Sequence, residues 1–477
     1  MIQAKTGTGQ NSPGIALAGL SLSMLMPSLA TSSANVALPA LTLEFGASFQ
    51  TAQWIVLSYL LTLTALLLAA GGLGDRLGRR RVLLAGMITF AGGSFGSAVA
   101  PGIELLIAAR IVQAAGAAIM MALTLSFVAD VVSNSQTGRA MGLLGTMSAV
   151  GTMLGPAVGG VLIAWAGGRA IFLVNLPLAL LGCLIASRTL PADPPSGAWA
   201  YRSFDFAGTG VLALALTTFA LAMTLGHGKF GPLNFAMLTT ALGAGAAFLA
   251  IEARAPAPLV RLSLFCNPLL AVNLAAGTTV STVMMATLIV GPFYLTSGLQ
   301  LGAASTGLVL AAGPLVAALA GVPSGRLVDR IGAGPATIAG LVLIAAGAVS
   351  LSILSPGSGV AGYVASTVTM TAGYSLFQTS NNTATMALAA AEERGAFSSM
   401  LGLSRNLGLV AGASAMGAVY AWGSGGIIHI GTADPSASVS GFHATFIVAV
   451  SLILATLLMV HWASRRESVL GDTTDLI

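Results

Sequence analysis

The sequence predicts an all-α protein that crosses a membrane many times, organised as two six-helix bundles with two further helices inserted between them. Only 7% of the 477 residues are charged and 56% are apolar, whereas a soluble globular chain carries about 25% charged residues. Apolar runs close to the ~20 residues needed to cross a bilayer recur along the whole length. A short charged sequence also occurs twice, which indicates an internal duplication.

Fourteen membrane spans are predicted along the chain. The spans are rich in Gly and Ala, and small residues let membrane helices approach closely. The first apolar run is too long for a cleaved signal peptide, so we expect an uncleaved helix. The predicted spans are residues 14–36, 52–72, 82–100, 105–127, 141–163, 171–188, 206–225, 233–251, 269–291, 304–322, 334–353, 360–380, 397–420 and 442–462.

The distribution of basic residues predicts the orientation of these spans. With the N-terminus inside, nearly all of the 19 Lys and Arg residues fall in cytoplasmic loops or tails. Only Arg169 and Lys229 fall outside, and only Arg110 and Arg405 lie within spans. This bias is a strong positive-inside signal, and it predicts that both termini are cytoplasmic. It also accounts for the net charge of +5 without a nucleic-acid partner.

The repeated charged sequence divides the chain into related halves. Gly71–Gly78 and Gly325–Gly332 both read G-x-L-x-D-R-x-G, and Gly151 of span 5 recurs as Gly408 of span 13. Spans 1–6 and 9–14 are therefore expected to be parallel repeats, since each contains an even number of helices. The predicted units are an N-terminal bundle at 1–190, a linker with spans 7 and 8 at 191–262, and a C-terminal bundle with a short tail at 263–477.

Each copy of the repeat places an Asp and an Arg in a glycine-containing turn between two spans. The carboxylate can accept hydrogen bonds from a helix N-terminus or pair with an Arg of a neighbouring helix, which would latch the bundles in one orientation. The alternative is a solvated loop that only sets the topology, and the second copy favours the latch. The predicted latch residues are Gly71, Asp75, Arg76, Gly78, Arg79, Arg80, Asp329 and Arg330.

Span 5 carries closely spaced small residues and a proline. Pro156 removes a backbone donor and predicts a kink. The small residues predict tight packing against a neighbouring helix, which is common in membranes and also suits a helix that seals the contact between two bundles. The residues of this pattern are Gly151, Gly155, Pro156, Gly159 and Gly160.

Arg110 lies well inside span 4, six residues after Glu104. An arginine within a membrane span costs several kcal/mol unless it is paired or hydrated, so it usually marks a functional pathway. The alternative is that its long side chain reaches out to the membrane interface. We favour a functional role.

Several of these motifs resemble those of the fourteen-helix drug:proton antiporters of the major facilitator superfamily. The resemblance covers nearly the whole chain and implies the major facilitator fold, alternating access and proton-coupled export. The motifs that carry it are the inner loop Gly71–Arg81, Arg110 with Gln113 in span 4, the glycine-proline pattern of span 5, Asn35–Pro39, Gln53-Trp54, Phe172–Pro177 and Pro258–Leu262.

The chain departs from that family at Ala30, where proton-coupled members usually carry an Asp. Every acidic residue falls in a loop, in a tail or near the end of a span. The candidate proton carriers are therefore Glu104, Asp130 and Asp75, with Arg110 acting on whichever carboxyl group takes the proton.

The expected function is proton-coupled efflux of amphipathic organic compounds, such as drugs, by a monomer in the inner (plasma) membrane. Alternatives are a transporter of one specific metabolite, a membrane-embedded enzyme and a signalling receptor. The enzyme lacks supporting motifs, since no paired intramembrane acids or Ser–His arrangement occurs. The receptor lacks a large soluble domain to carry a signal. No metal or cofactor is expected. The candidate cavity residues are Asn35, Gln53, Trp54, Tyr59, Gln113, Phe293, Tyr294, Gln378 and Asn381.

Overall fold

The computed structural model describes residues 13–132, 137–191, 193, 205–225, 230–255, 260, 262–390, 393–426 and 435–474, and every regular element among them is helical. The α-helices are α1 (Pro13–Glu44), α2 (Phe49–Leu77), α3 (Arg79–Val99), α4 (Ile103–Val131), α5 (Thr137–Ala166), α6 (Ala170–Leu173), α7 (Asn175–Thr189), α8 (Phe206–Thr224), α9 (Pro232–Glu252), α10 (Pro268–Phe293), α11 (Ala303–Ile331), α12 (Ala333–Ser352), α13 (Gly359–Ala387), α14 (Arg394–Ala411), α15 (Gly417–Gly423) and α16 (Pro435–Thr474). Short 3-10 helices cover Leu262–Cys266 and Pro356–Ser358, and π-helical turns cover Tyr294–Gly298 and Gly412–Met416.

Within the described residues, twelve helices are long and apolar enough to cross a membrane. The prediction of a polytopic helical membrane protein is thereby confirmed, although the count of fourteen spans is not. Helix α13 and the segment formed by α14 and α15 coincide with predicted spans 12 and 13 but are not among the twelve. The physical reason is their content of hydroxyl, amide and charged side chains, including Asn381, Arg405 and Asn406.

Helix boundaries repeat between the two halves of the chain. Helices α2 and α11 each span 29 residues, and each is separated from the next helix by a single glycine. These two glycines, Gly78 and Gly332, have φ values of 98° and 84°, a backbone conformation that other residues adopt only with strain. The repeated sequence therefore builds the same sharp turn twice.

Packing between helices repeats as well. Gly93 of α3 lies against the backbone of α4, where an added Cβ would be 2.6 Å from the Cα of Gln113. At the equivalent place in the second half, a Cβ on Gly347 would be 2.8 Å from the Cα of Met370. Small residues at matching positions thus allow α3 to touch α4 as α12 touches α13.

The contact of α5 with α1 recurs as the contact of α14 with α10. Gly151 approaches the carbonyl oxygen of Leu25, and the equivalent Gly408 approaches the carbonyl oxygen of Thr278. Across the same contacts, Ser32 Oγ donates to the Gly151 carbonyl at 3.3 Å, and Thr282 Oγ1 donates to the Gly408 carbonyl at 3.1 Å.

The inserted helices α8 and α9 pack on each other, and α8 also touches α2 and α14. Asp205 caps α8 by accepting the Gly208 N–H at 2.7 Å. Glu252, at the end of α9, is buried and accepts the Val260 N–H at 3.0 Å. Trp54 of α2 donates its indole N–H to Thr224 Oγ1 of α8 at 3.2 Å, which fixes the pair against the first half of the chain.

Candidate functional site

The two halves touch at one end of the molecule, which we call the closed end. It contains the turn between α1 and α2 at 45–48. Here α5 meets α11 with almost no side chain between them. A Cβ added to Gly160 would lie 2.9 Å from Gly307 Cα, and the Pro156 carbonyl oxygen also faces Gly307. This backbone-to-backbone contact is possible only because both residues are glycine.

A second contact at the closed end joins α2 to the segment formed by α14 and α15. The side-chain amide of Gln53 donates to the carbonyl oxygen of Ala413, inside the π-helical turn. Gly417 lies against the same amide. A π-helical turn frees carbonyl groups from the regular helical pattern, and such turns are frequent at functional sites.

These two contacts occupy equivalent positions in the duplication. Gln53 corresponds to Gly307 in the repeat of α2 and α11, which is offset by 254 residues. Pro156 corresponds to Ala413 in the repeat of α5 and α14, which is offset by 257 residues. One half interrupts its helix with a proline and the other with a π-helical turn at the same place. The closed end is therefore a pseudo-symmetric pair of contacts.

Aromatic rings fill the closed end between the two contacts. Phe49 of α2 packs edge-on against Phe293 of α10 with ring centroids 4.8 Å apart, and lies 5.1 Å from Tyr420 of α15. Tyr294 stacks on Phe442 with centroids 4.1 Å apart. These rings are fully buried, and they exclude water from this end of the molecule.

The opposite end, which we call the open end, separates the same helices. Gly142 and Gly145 lie on the face of α5 that carries Pro156 and Gly160, since successive residues turn by about 100°. An added Cβ would meet nothing within 4 Å at either of these glycines. The same is true on the other two helices, at Gly321 and Gly325 on the Gly307 face of α11 and at Gly402 of α14. A gap therefore opens between the halves and narrows towards the closed end.

Arg110 is fully buried in the first half, among neutral groups. Its Nε donates to the carbonyl oxygen of Ile55 at 3.1 Å, and its Nη1 donates to Gln113 Oε1. Gln113 in turn donates to Ser94 Oγ at 2.7 Å. The guanidinium carbon lies 4.2 Å from the centroid of the Tyr59 ring, which gives a cation–π contact. Among the described residues, Nη2 has no hydrogen-bond partner and no carboxylate contacts the guanidinium.

The predicted cavity residues occupy several different environments. Gln53, Phe293 and Tyr294 take part in the closed end, Trp54 faces the inserted helices, and Tyr59 and Gln113 surround Arg110. Asn35 and Asn381 are buried, and Gln378 is half-buried on α13. Asn381 lies at the junction of α10 and α14, because its amide nitrogen and Ser404 Oγ both border Gly277.

The predicted latch residues are only partly described. The guanidinium of Arg80 donates a hydrogen bond to the Ser187 carbonyl oxygen. Asp329 and Arg330 are exposed at the end of α11. The side chains of Asp75, Arg76 and Asp130 lie outside the described part of the structure. The latch and the proton-carrying roles stay predictions. Glu104 is exposed in the first turn of α4.

An acid that the sequence analysis did not single out holds the start of α3. Asp193 accepts the backbone N–H groups of Arg80 and Arg81 at 2.9 and 3.1 Å. These are helix N-terminal donors with no partner inside the helix, and a carboxylate is favoured there. The acid lies 114 residues after the α3 N-terminus at Arg79, so no local pattern indicates the contact.

The comparisons with known proteins agree with this architecture. Residues 20–413 match the family model described as Major Facilitator Superfamily. The chain belongs to the major facilitator superfamily. It is a membrane transporter of a small molecule rather than an enzyme, and this superfamily assignment confirms the resemblance in its broad form. Among the described residues, no group of His, Cys, Asp or Glu side chains is arranged to hold a metal ion.

Several relatives of this superfamily member carry names of transporters and efflux pumps. The uncharacterized transporter YebQ of Escherichia coli is 29% identical over 83% of this chain and 86% of the relative. The riboflavin transporter RibZ of Clostridioides difficile is 28% identical over 85% of this chain and 88% of the relative. The multidrug efflux pump LfrA of Mycolicibacterium smegmatis is 30% identical over 85% of this chain and 80% of the relative.

Solved transporter structures share the fold at low sequence identity. A bacterial homologue of the human lysosomal transporter Spinster, in an inward-facing and unoccupied conformation, superposes with a TM-score of 0.69. That match covers 96% of this chain and 98% of the other, at 16% identity. It supports the fold and carries no information on the substrate.

Proposed function

We propose that this protein is a secondary active exporter that expels amphipathic organic compounds in exchange for protons. It works as a monomer in the inner (plasma) membrane of a bacterial-type cell, with fourteen spans and both termini in the cytoplasm. Residues 1–190 and 263–477 form the two moving bundles, and residues 191–262 join them. The relative named as a multidrug efflux pump supports export of this kind.

The observation that carries the proposal is the contrast between the two ends. The halves are sealed at the closed end by the contacts Gly160–Gly307 and Gln53–Ala413, while the same helix faces are apart at the open end. In the proposed topology the gap opens to the cytoplasm. Rocking of the two bundles would break the contacts at the closed end, so that this end opens while the gap at the open end closes. Alternating access operates in this way in duplicated transporters.

The same rocking would bring the open ends of α2, α5, α11 and α14 together. The proposed latch of Asp75, Arg76, Asp329 and Arg330 lies at this end and would form only in the outward-facing state. The exposure of Asp329 and Arg330 in the present state fits that sequence of events. Proton exchange is assigned to Glu104, Asp130 or Asp75, because Ala30 is an apolar, buried residue with no exchangeable proton.

A second candidate function is the transport of one specific metabolite without proton antiport. The riboflavin transporter among the relatives favours it, since that protein is as similar to this chain as the efflux pump is. The absence of an acid at Ala30 favours it too, because a symporter or facilitator needs no proton carrier at that place.

Efflux from cells separates these functions. The chain would be expressed in a bacterial strain that lacks its own drug pumps, and the cells would be loaded with amphipathic fluorescent dyes of positive, neutral and negative charge. Retained fluorescence would be followed with and without a protonophore. Asp75→Asn would serve as the test variant, and Asp472→Asn, at the far end of the chain, as its matched control.

Protonophore-sensitive efflux of at least one dye, lost in Asp75→Asn and kept in Asp472→Asn, is the expected result. Efflux of no dye, from cells whose membranes contain the protein, would contradict broad export and leave the single-metabolite function. Efflux at the same rate with and without the protonophore would contradict proton coupling.

A further inference from the structure

Arg405 is a charged residue of α14 that lies outside the closed end. It lies 11 residues after the start of α14, which corresponds to about 17 Å along a helix. Its side chain is exposed, and no ion pair or hydrogen bond joins it to any described residue. A charged side chain so far inside a membrane helix normally faces a polar pathway.

The neighbours of α14 fix the direction in which Arg405 points. Ser404 and Gly408 face α10, because Ser404 Oγ donates to the Leu274 carbonyl at 2.6 Å and Gly408 meets Thr278. Leu403 packs against the inserted helices. Ala413 faces α2 through Gln53.

At about 100° per residue, Arg405 falls in the sector between the α10 side and the α2 side. That sector also holds Ser398, which is exposed, and Gly402, where an added Cβ would meet nothing within 4 Å. Because α10 belongs to one half and α2 to the other, the sector between them is the gap. Arg405 therefore projects into the gap, two helical turns before the closed end.

Among the described residues, no acidic side chain forms an ion pair with Arg405 to neutralise this charge. Helices α10, α13 and α14 contain no Asp or Glu at all, and the acids of α1, α2 and α11 are confined to their last three residues. The second cation of the interior, Arg110, is likewise surrounded by neutral acceptors among the described residues. In the first half, the position that the duplication pairs with Arg405 is Ser148, which is hydrogen-bonded to Ser28 at 2.7 Å.

We infer that Arg405 is the binding residue for an anionic group on the transported compound, so that the cargo is an amphipathic anion such as a carboxylate or sulfonate. The inference rests on the proposed transport function and names its substrate class. A guanidinium makes strong, charge-assisted hydrogen bonds to such groups. The same positive charge disfavours cations in the gap.

Binding to the purified protein in detergent tests this without relying on transport. The probes are fluorescein, an anion at neutral pH, and rhodamine 123, a cation on the same ring system. We expect wild type to prefer fluorescein by about tenfold in Kd. Arg405→Gln should abolish the preference and Arg405→Lys should keep most of it. Arg254→Gln, which removes an exposed arginine beyond α9, should bind as wild type does.

The readout is the ratio of the two Kd values, because damage to the fold would weaken both dyes together and leave the ratio unchanged. An unchanged ratio in Arg405→Gln, a preference of wild type for rhodamine 123, or no binding of either dye by folded wild type would each overturn the inference. Repeating the measurement in vesicles of phosphatidylcholine with and without phosphatidylglycerol separates cargo from lipid headgroups. Displacement of fluorescein by phosphatidylglycerol would assign Arg405 to lipid and overturn the inference.

Failure of the proposed function would give different results from failure of the anion site. Intact anion preference without any protonophore-sensitive efflux would refute proton-coupled export and leave the anion site standing. Efflux of rhodamine 123 in preference to fluorescein would support export and refute the anionic cargo.

Discussion

Arg110 shows how single residues hold charge inside this protein. A buried cation normally requires a paired carboxylate or a full set of acceptors. Here the Ile55 carbonyl, Gln113 Oε1 and the face of Tyr59 supply the acceptors. Gln113 is the central member, since it also donates to Ser94.

Changing Gln113 should therefore affect stability strongly and selectively. Gln113→Leu leaves Arg110 Nη1 without its acceptor and should lower the free energy of unfolding by about 3 kcal/mol. Gln113→Glu keeps an acceptor and adds an opposite charge, so its effect should stay within about 1 kcal/mol. Thermal unfolding of the purified variants in detergent measures both. Equal Tm values for the two variants would show that Gln113 is not the acceptor on which Arg110 depends.

Asp193 caps the N-terminus of α3, although it lies more than 100 residues later in the sequence. Asp193→Ala removes the acceptor of two backbone N–H groups and should reduce stability by about 1 kcal/mol. Asp329→Ala is the matched control, because Asp329 is exposed and should change stability by less than about 0.5 kcal/mol. Comparison of the two unfolding temperatures tests the cap, and an equal loss in both would exclude it.

At the scale of elements, glycine sets how closely helices pack. In α5, Gly155 and Gly159 lie one turn apart and both face α1. A Cβ at Gly155 would be 2.8 Å from the Ser33 backbone nitrogen, whereas one at Gly159 would have its nearest neighbour, Ser33 Cβ, at 3.4 Å. The same motif therefore contains one position that tolerates a methyl group and one that does not.

This difference predicts opposite outcomes for two identical substitutions. Gly155→Ala should destabilise the protein by about 1–3 kcal/mol, because α1 and α5 must separate. Gly159→Ala should be neutral or stabilising by up to about 1 kcal/mol, since alanine favours the helix. Both Tm values can be measured side by side. A loss of stability in Gly159→Ala as large as that in Gly155→Ala would contradict the described packing of α5.

At the scale of the whole molecule, the closed end holds the present conformation. Its two contacts use different chemistry, namely glycine against glycine in one and a glutamine amide against a π-helical carbonyl in the other. Both would have to break in the proposed rocking of the bundles. The conformational equilibrium should thus respond to a side chain inserted at Gly307.

Gly307→Leu should drive the halves apart at the closed end, because no space exists for its side chain. Gly325→Leu, on the same face of α11 but bordered by open space, is the control. Spin labels on Trp165→Cys and Ser355→Cys, in a background with Cys183→Ser and Cys266→Ser, would report the distance. We expect a longer distance in Gly307→Leu only. Unchanged distances would show that this contact does not hold the closed end.

The sequence determined those features that depend on local composition and on repetition. Apolar runs predicted the membrane helices, because backbone polar groups in lipid must be satisfied within a helix. The G-x-L-x-D-R-x-G repeat predicted the duplication, and the matching boundaries of α2 and α11 reproduce it. Helices α13 and α14 are not among the twelve described helices that are apolar enough to cross a membrane. Both carry polar residues that face the gap or the bundle interior, and these residues lower their hydropathy.

Tertiary structure alone decided which residues meet. Gln53 and Ala413 are 360 residues apart, and Asp193 reaches Arg80 across 113 residues, so neither contact leaves a local pattern in the chain. The candidate cavity residues were chosen by type, but the fold distributed them among the closed end, the Arg110 network and the inserted helices. Helix rotation is the physical reason: a shift of one residue turns a side chain by about 100°, and only packing fixes which way it points.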